Sequence, residues 1–212
     1  MIIKTFECNM LQENCYVVSD ETNEAVVIDC GAYFEDERQA IVNYINREGL
    51  TVKHLLCTHG HFDHCFGNYT IWQAFGTKPE VAAEDEWLMD IGAQMRTMMG
   101  SDYGQQSAPL GEFMKADAVI CFGNHSLRVL PTPGHTPGGV CFYCEAEKVV
   151  FTGDTLFRMS VGRTDFERSS WQQLNESLRG VLALLPADTR VYPGHGPQTL
   201  IGEERQMNPY LR

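Results

Sequence analysis

The chain has 212 residues, of which 43% are hydrophobic and 10% aromatic, with a formal net charge of -12. That is enough apolar material to bury a core and too much for a disordered chain. The acidic balance, with no run of Lys and Arg, argues against a nucleic-acid partner, because such binders draw much of their affinity from a basic face. The opening residues lack a cationic leader followed by an apolar run, and no apolar stretch reaches the roughly 20 residues that span a bilayer. The expectation is a single-domain, soluble, cytoplasmic protein without a membrane partner.

The first third reads as short strands near 2–6, 15–18 and 25–28, followed by a helix over 35–48. That helix carries Ile41, Tyr44 and Ile45 on one face and stops at Gly49. A strand at 52–57 runs into the polar segment Thr58-His59-Gly60-His61-Phe62-Asp63-His64. Residues 84–117 differ in character, with Met89, Met95, Met98, Met99 and Met114 among Gly, Ser and Gln. They predict a helical excursion, read either as gap-filling packing or as a lid over an apolar ligand group. Strands resume at 127–130, 140–143 and 148–152. A helix then begins at Ser170, which has capping-box spacing to Gln173, and runs through Trp171, Leu174 and Leu178. A last strand at 190–192 ends in Pro193-Gly194-His195-Gly196. Two similar halves in the order strands, helix, strand, helix fit a sheet-on-sheet core with helices outside, and no linker divides them.

The 8 cysteines are scattered in a chain large enough not to need staples, which points to reduced, mostly buried thiols. Cys141 and Cys144 form a C-x-x-C pattern, but inside a strand residues three apart face opposite sides, so they should not chelate or bridge.

Five of the 7 histidines fall in three short segments that follow strands and are rich in Gly or Pro: His59, His61 and His64; His135; and His195. A fourth such loop offers Asp154. Loops at strand ends let a rigid scaffold aim side chains at a common point. After a strand, His59 and His61 project to the same side and can meet one ion, while Asp63 and His64 can turn to a second. Imidazole with carboxylate suits Zn, Fe, Mn or Co better than Ca or Mg. His54 and His125 lack such spacing and read as hydrogen-bonded or surface residues.

The pattern His59-x-His61-x-Asp63-His64, followed by His135, Asp154 and His195, resembles the metallo-β-lactamase-fold hydrolases from about Asn14 onward. The resemblance implies an α+β, four-layer αβ/βα sandwich, with two mixed sheets packed face to face and helices outside. It implies His59, His61 and His135 on one metal, Asp63, His64 and His195 on the other, and Asp154 bridging two divalent ions, Zn first and Fe or Mn as alternatives. It also implies a hydroxide between the ions, which Asp63 orients. Asp29 resembles the family's carboxylate that hydrogen-bonds a ligand histidine; its other reading is a turn former before Gly31.

Asp154 is unlike the lactamases themselves, which place other residues there. The segments 153–157 and Gly162-Arg163-Thr164-Asp165 are similar to the glyoxalase II and persulfide dioxygenase branch. The ending around Glu203-Glu204-Arg205 and Asn208-Pro209-Tyr210 resembles the short bacterial hydroxyacylglutathione hydrolase-like proteins. Arg163 is read either as a contact to a substrate carboxylate or as half of a salt bridge. The 212 residues leave no room for the C-terminal helical domain of glyoxalase II, which points to a different or smaller thioester than that enzyme's. The expected activity is hydrolysis of a 2-hydroxyacyl thioester such as S-lactoylglutathione. Its alternatives are an iron persulfide dioxygenase using His59, His135 and Asp154, a lactonase, and a non-catalytic metal-binding module.

Overall fold

A computed structural model describes residues 1–211. The first half holds β1 (Ile2–Cys8), β2 (Glu13–Ser19), β3 (Glu24–Ile28), α1 (Glu35–Arg47), β4 (Thr51–Leu56), α2 (Asn68–Phe75), β5 (Pro79–Glu80) and α3 (Ile91–Met99). The second holds β6 (Val119–Phe122), β7 (His125–Pro131), β8 (Val140–Cys144), β9 (Val149–Gly153), the hairpin β10 (Leu156–Phe157) and β11 (Ser160–Val161), α4 (Trp171–Gly180), β12 (Arg190–Pro193), β13 (Thr199–Leu200) and α5 (Ile201–Met207).

One sheet has the order β1-β2-β3-β4-β5 and the other β13-β12-β9-β8-β7-β6. Each mixes parallel and antiparallel pairs, β3 with β4 and β12 with β9 being parallel. The inner faces share one apolar cluster, in which Tyr16, Val18, Val26, Ile28 and Leu56 meet Leu127, Val129, Phe142, Phe151 and Tyr192. Ile41 and Ile45 of α1 and Ile71 of α2 cover the outer face of the first sheet. Leu174 and Leu178 of α4 and Ile201 of α5 cover that of the second. The layers are therefore helix, sheet, sheet, helix, as the resemblance implies. Each fully buried large side chain contributes roughly 1.5–3 kcal/mol, so the cluster between the sheets is what holds the two halves together.

Local signals account for the long elements. Gly49 takes φ 65° after α1, and the Gly49 and Leu50 N–H groups donate to Asn46 and Ile45 carbonyls, which closes the helix. Ser170 caps α4 by accepting from the Gln173 N–H at 3.3 Å. The short elements α2, β5, β6, β10, β11 and β13 go beyond the expected ones, because two to eight residues carry too little periodicity, and α5 is the helix expected to close the second half, there without bounds.

Within the Met-rich stretch, α3 and a preceding 3-10 turn at Ala83–Leu88 are helical, but residues 100–113 form neither helix nor strand. Met89 and Met95 pack with Cys57, Cys65 and Phe66, whereas Met98 and Met99 are exposed. All 8 cysteines are free and only Cys121 is exposed. Cys141 faces α4 and Cys144 faces the core between the sheets, as strand alternation requires. Among the described residues, no helix is long and apolar enough to cross a membrane.

Candidate metal centre

Strand direction brings the five loops together. β3 and β4 are parallel, so the loops carrying Asp29 and residues 59–64 leave the first sheet at the same edge. β8 is antiparallel to both β7 and β9, and β9 is parallel to β12, so the loops carrying His135, Asp154 and His195 leave the second sheet at one edge as well. The two edges are joined by the Val140 N–H to the Thr58 carbonyl at 2.8 Å, the Asn14 N–H to the Gly194 carbonyl at 2.7 Å, and the Tyr16 hydroxyl to the Pro193 carbonyl at 2.6 Å.

All seven expected ligands converge there. Ligand atoms of His59, His61 and His135 lie within 4.8 Å of one another, and so do those of Asp63, His64 and His195, and of His59, His64 and Asp154. His61 Nδ1 and His135 Nε2 face each other at 2.9 Å. Asp154 sits between the two triads. Its Oδ2 is 3.5 Å from His135 Nε2, and its Oδ1 is 3.3 Å from His64 Nε2 and 3.7 Å from His195 Nε2. Asp63 Oδ2 is 3.4 Å from His195 Nε2. Gly194 makes room: a Cβ there would lie 2.5 Å from Asp154 Oδ1 and 2.6 Å from His64 Cε1.

Hydrogen bonds behind the ligands orient the rings. His64 Nδ1 faces Asp29 Oδ2 at 3.1 Å, His135 Nδ1 the Arg163 carbonyl at 2.8 Å, and His195 Nδ1 the Leu11 carbonyl at 3.0 Å. Thr58 Oγ1 donates to Asp29 Oδ2 at 2.7 Å and lies 3.0 Å from His59 Nδ1, so Asp29 backs two histidines, one directly and one through a hydroxyl. In each case the partner is an acceptor, so in the neutral ring the proton sits on Nδ1 and Nε2 of His59, His64, His135 and His195 offers a lone pair to the site. Asp29 itself is at φ 51°, and the Gly31 N–H donates to its carbonyl, so it also forms the turn.

The electrostatics follow from packing five imidazoles against two carboxylates. Burial, then the other imidazoles, pushes His59 well below the ordinary histidine range and His61 down to about 4. Burial acts the same way on His64, but Asp154 and Asp63 outweigh it and hold His64 well above that range. His195 is also raised, by Asp63 and Asp154 against its burial. Both carboxyls are lowered despite burial, chiefly by His64.

The residues fit a pair of transition-metal ions. Buried His59 Nε2, His64 Nε2 and Asp154 Oδ1 have no hydrogen-bond partner, a costly state unless a cation takes those lone pairs. Nitrogen and carboxylate donors, three per triad with one carboxylate between them, match borderline divalent ions.

Of the remaining expectations, Arg163 is exposed and pairs with Asp165 through two hydrogen bonds of 2.9 and 2.8 Å. Its guanidinium stacks 4.5 Å from the Phe166 ring, which in turn packs on His61 and His135. His54 pairs with Glu80, and His125 with Asp20 and Glu147, both hydrogen-bonded away from the centre. Sequence reasoning missed Thr58, Asp85 and Glu13. Glu13 is fully buried, 3.8 Å from His64 Nδ1, with its carboxyl raised by burial and neither oxygen hydrogen-bonded. Thr58 directly precedes His59, and that adjacency is the signal that marks it. Asp85 lies in Glu84-Asp85-Glu86, which reads as a solvated face.

The chain is similar in sequence and fold to several known proteins. The hydroxyacylglutathione hydrolase GloC of Haemophilus influenzae is 32% identical, over 100% of this chain and 98% of its own. The crystal structure of the BLEG-1 B3 metallo-beta-lactamase superposes with a TM-score of 0.91 at 31% identity, covering 99% of both chains. TTHA1623 in a di-iron-bound form gives 0.83 at 33% over both whole chains, and ETHE1 from Myxococcus xanthus 0.80 at 27%, over 99% of this chain and 84% of that one. The family model of the metallo-beta-lactamase superfamily matches residues 8–195. By sequence and fold, the chain belongs to the metallo-beta-lactamase superfamily.

Proposed function

We propose that the protein is a dinuclear metallohydrolase that cleaves a 2-hydroxyacyl thioester of the S-lactoylglutathione type. The observation that carries this reading is Asp154, placed between two complete triads so that one carboxylate can serve both ions. The similarity to GloC, at nearly equal length, supports the substrate class. Two divalent ions so held would supply Lewis acidity and lower the pKa of water toward about 7.

The chain's own residues do the rest. Asp63 has one carboxylate oxygen near His195 and remains slightly exposed, so it can accept a proton from water and align it. Phe166 against His61 and His135, and Phe157 6.1 Å from His195, place apolar rings on both sides of the centre and limit bulk water. A thiolate leaves without protonation, so a thioester needs no separate acid. Arg163, on the Phe166 ring, can exchange Asp165 for a substrate carboxylate. Arg163→Ala should then raise KM with kcat unchanged.

Thiol release from S-lactoylglutathione by the metal-loaded protein tests the reading. No release with two ions bound per chain rejects it. The complete Asp63, His64 and His195 triad favours two ions over the single iron of a persulfide dioxygenase, and oxygen uptake with a persulfide substrate would reverse that choice. A lactonase would open a lactone without releasing thiol.

A further inference from the structure

Asp85 lies on the turn that opens the Met-rich excursion, is fully buried, and touches none of the seven ligands by hydrogen bond. Its Oδ2 accepts from the Gly60 N–H at 3.0 Å and from the Thr136 hydroxyl at 2.7 Å. Its Oδ1 accepts from the Gly138 N–H at 2.7 Å. Gly60 separates His59 from His61, and Thr136 follows His135. One carboxylate therefore joins a loop from the five-stranded sheet to a loop from the six-stranded sheet.

The fit around it is close. A Cβ on Gly138 would meet Asp85 N and Oδ1 at 2.8 Å, and one on Gly60 would meet Leu88 Cβ at 2.6 Å. Gln94 of α3 donates to the Gly60 carbonyl at 2.8 Å, so the excursion holds both polar groups of Gly60. Among the described residues the excursion makes no such hydrogen bond to Asp63, His64 or His195, and meets their turn through the apolar contacts of Phe62, Cys65 and Phe66 with Met89 and Met95.

We propose that Asp85 is a positioning residue that sets the spacing of the two loops carrying His59, His61 and His135, so that the excursion buttresses one ion position and not the other. This rests on reading those three histidines as an ion position and is independent of the thioester assignment. All three partners of Asp85 donate, and two of them are backbone N–H groups that cannot reverse. An asparagine there must turn its NH2 toward Gly60 or toward Gly138, whichever way it is placed.

The test is titration of metal-free protein with Co(II), read by its visible absorption, in two backgrounds. His195→Ala weakens the second position and leaves His59, His61 and His135 intact; His135→Ala does the reverse. Asp85→Asn should weaken Co(II) binding about 10–100-fold in the first background, the range for lost support behind a ligand, and by less than about threefold in the second. Thr136→Val, which removes one of the three donors, should act in the same direction to a smaller degree, and it carries the test if Asp85→Asn does not fold. Equal weakening in both backgrounds would make Asp85 a general stabiliser, and undiminished binding in the first would make it inert here; either overturns the proposal. Absence of Co(II) uptake by the wild-type chain overturns the metal-centre reading and this proposal with it, whereas Co(II) uptake without thiol release touches only the substrate assignment.

Discussion

Asp29→Asn changes almost nothing in shape and reverses the hydrogen bonds at one oxygen, to His64 and to the Thr58 hydroxyl, that support the candidate metal centre. Asp29 is buried, accepts from the Thr58 N–H at Oδ1 (2.7 Å), and at Oδ2 meets the Thr58 hydroxyl and His64 Nδ1. An amide cannot turn its NH2 toward the Thr58 N–H without leaving a buried donor unpaired, which costs about 1–3 kcal/mol. It therefore places NH2 at the Oδ2 position, where it meets His64 Nδ1. The imidazole answers by moving its proton to Nε2, the atom that should bind metal. In the metal-free protein every group can still find a partner, so its melting temperature should change little. Metal binding at the His64 position should weaken about 10–100-fold, or about 1.4–2.8 kcal/mol. Paired thermal melts and metal titrations of the metal-free variant separate the two quantities. A variant that binds the second ion like wild type, or that loses more in its metal-free melt than in metal affinity, would refute this account of Asp29.

Other outcomes follow from the same geometry. Above pH 6.5 the metal-free fold keeps protons on His64 and His195 that the unfolded chain has released. Its stability should thus fall as pH rises through the raised values, while apparent metal affinity climbs and uptake releases protons; affinity that is flat from pH 6 to 8 contradicts this. Gly194→Ala forces a Cβ into Asp154 and His64, so bound metal per chain should drop, as elemental analysis would show, and full occupancy would mean that the loop can yield. Phe151→Ala removes a ring fully buried between the sheets against Tyr16 and Tyr192. Denaturant unfolding should register a loss of about 3–5 kcal/mol, and a loss under 1 kcal/mol would mean the two sheets do not depend on that contact.

The candidate ligand set was legible because metal chemistry restricts residue type. Few side chains bind a transition metal, and His59, His61, Asp63 and His64 crowd into six positions after a strand. The longer elements were legible for a related reason: burying one face imposes a period, visible in Ile41 and Ile45 of α1 and in Leu174 and Leu178 of α4. Elements such as β5, with two residues, have no period to display. The supporting residues were hidden for the opposite reason. Asp85 and Glu13 are acidic residues with no distinguishing neighbours, and only burial makes them notable.

The sequence alone determined which atoms are available to hold the ions, that they sit on loops after strands, and that sheet and helix alternate in two halves. Those properties depend on side-chain chemistry and on contacts between near neighbours in the chain. Tertiary structure decided which loops meet, because the parallel run of β3 with β4 and the order of β7, β8, β9 and β12 send them to common edges. It also decided that Asp154 lies between the triads, that Arg163 pairs with Asp165, and that Asp85 spans two sheets. Apart from the local Arg163–Asp165 pair, these are juxtapositions of residues tens of positions apart, and no local pattern encodes a distance between such residues until the sheets pack.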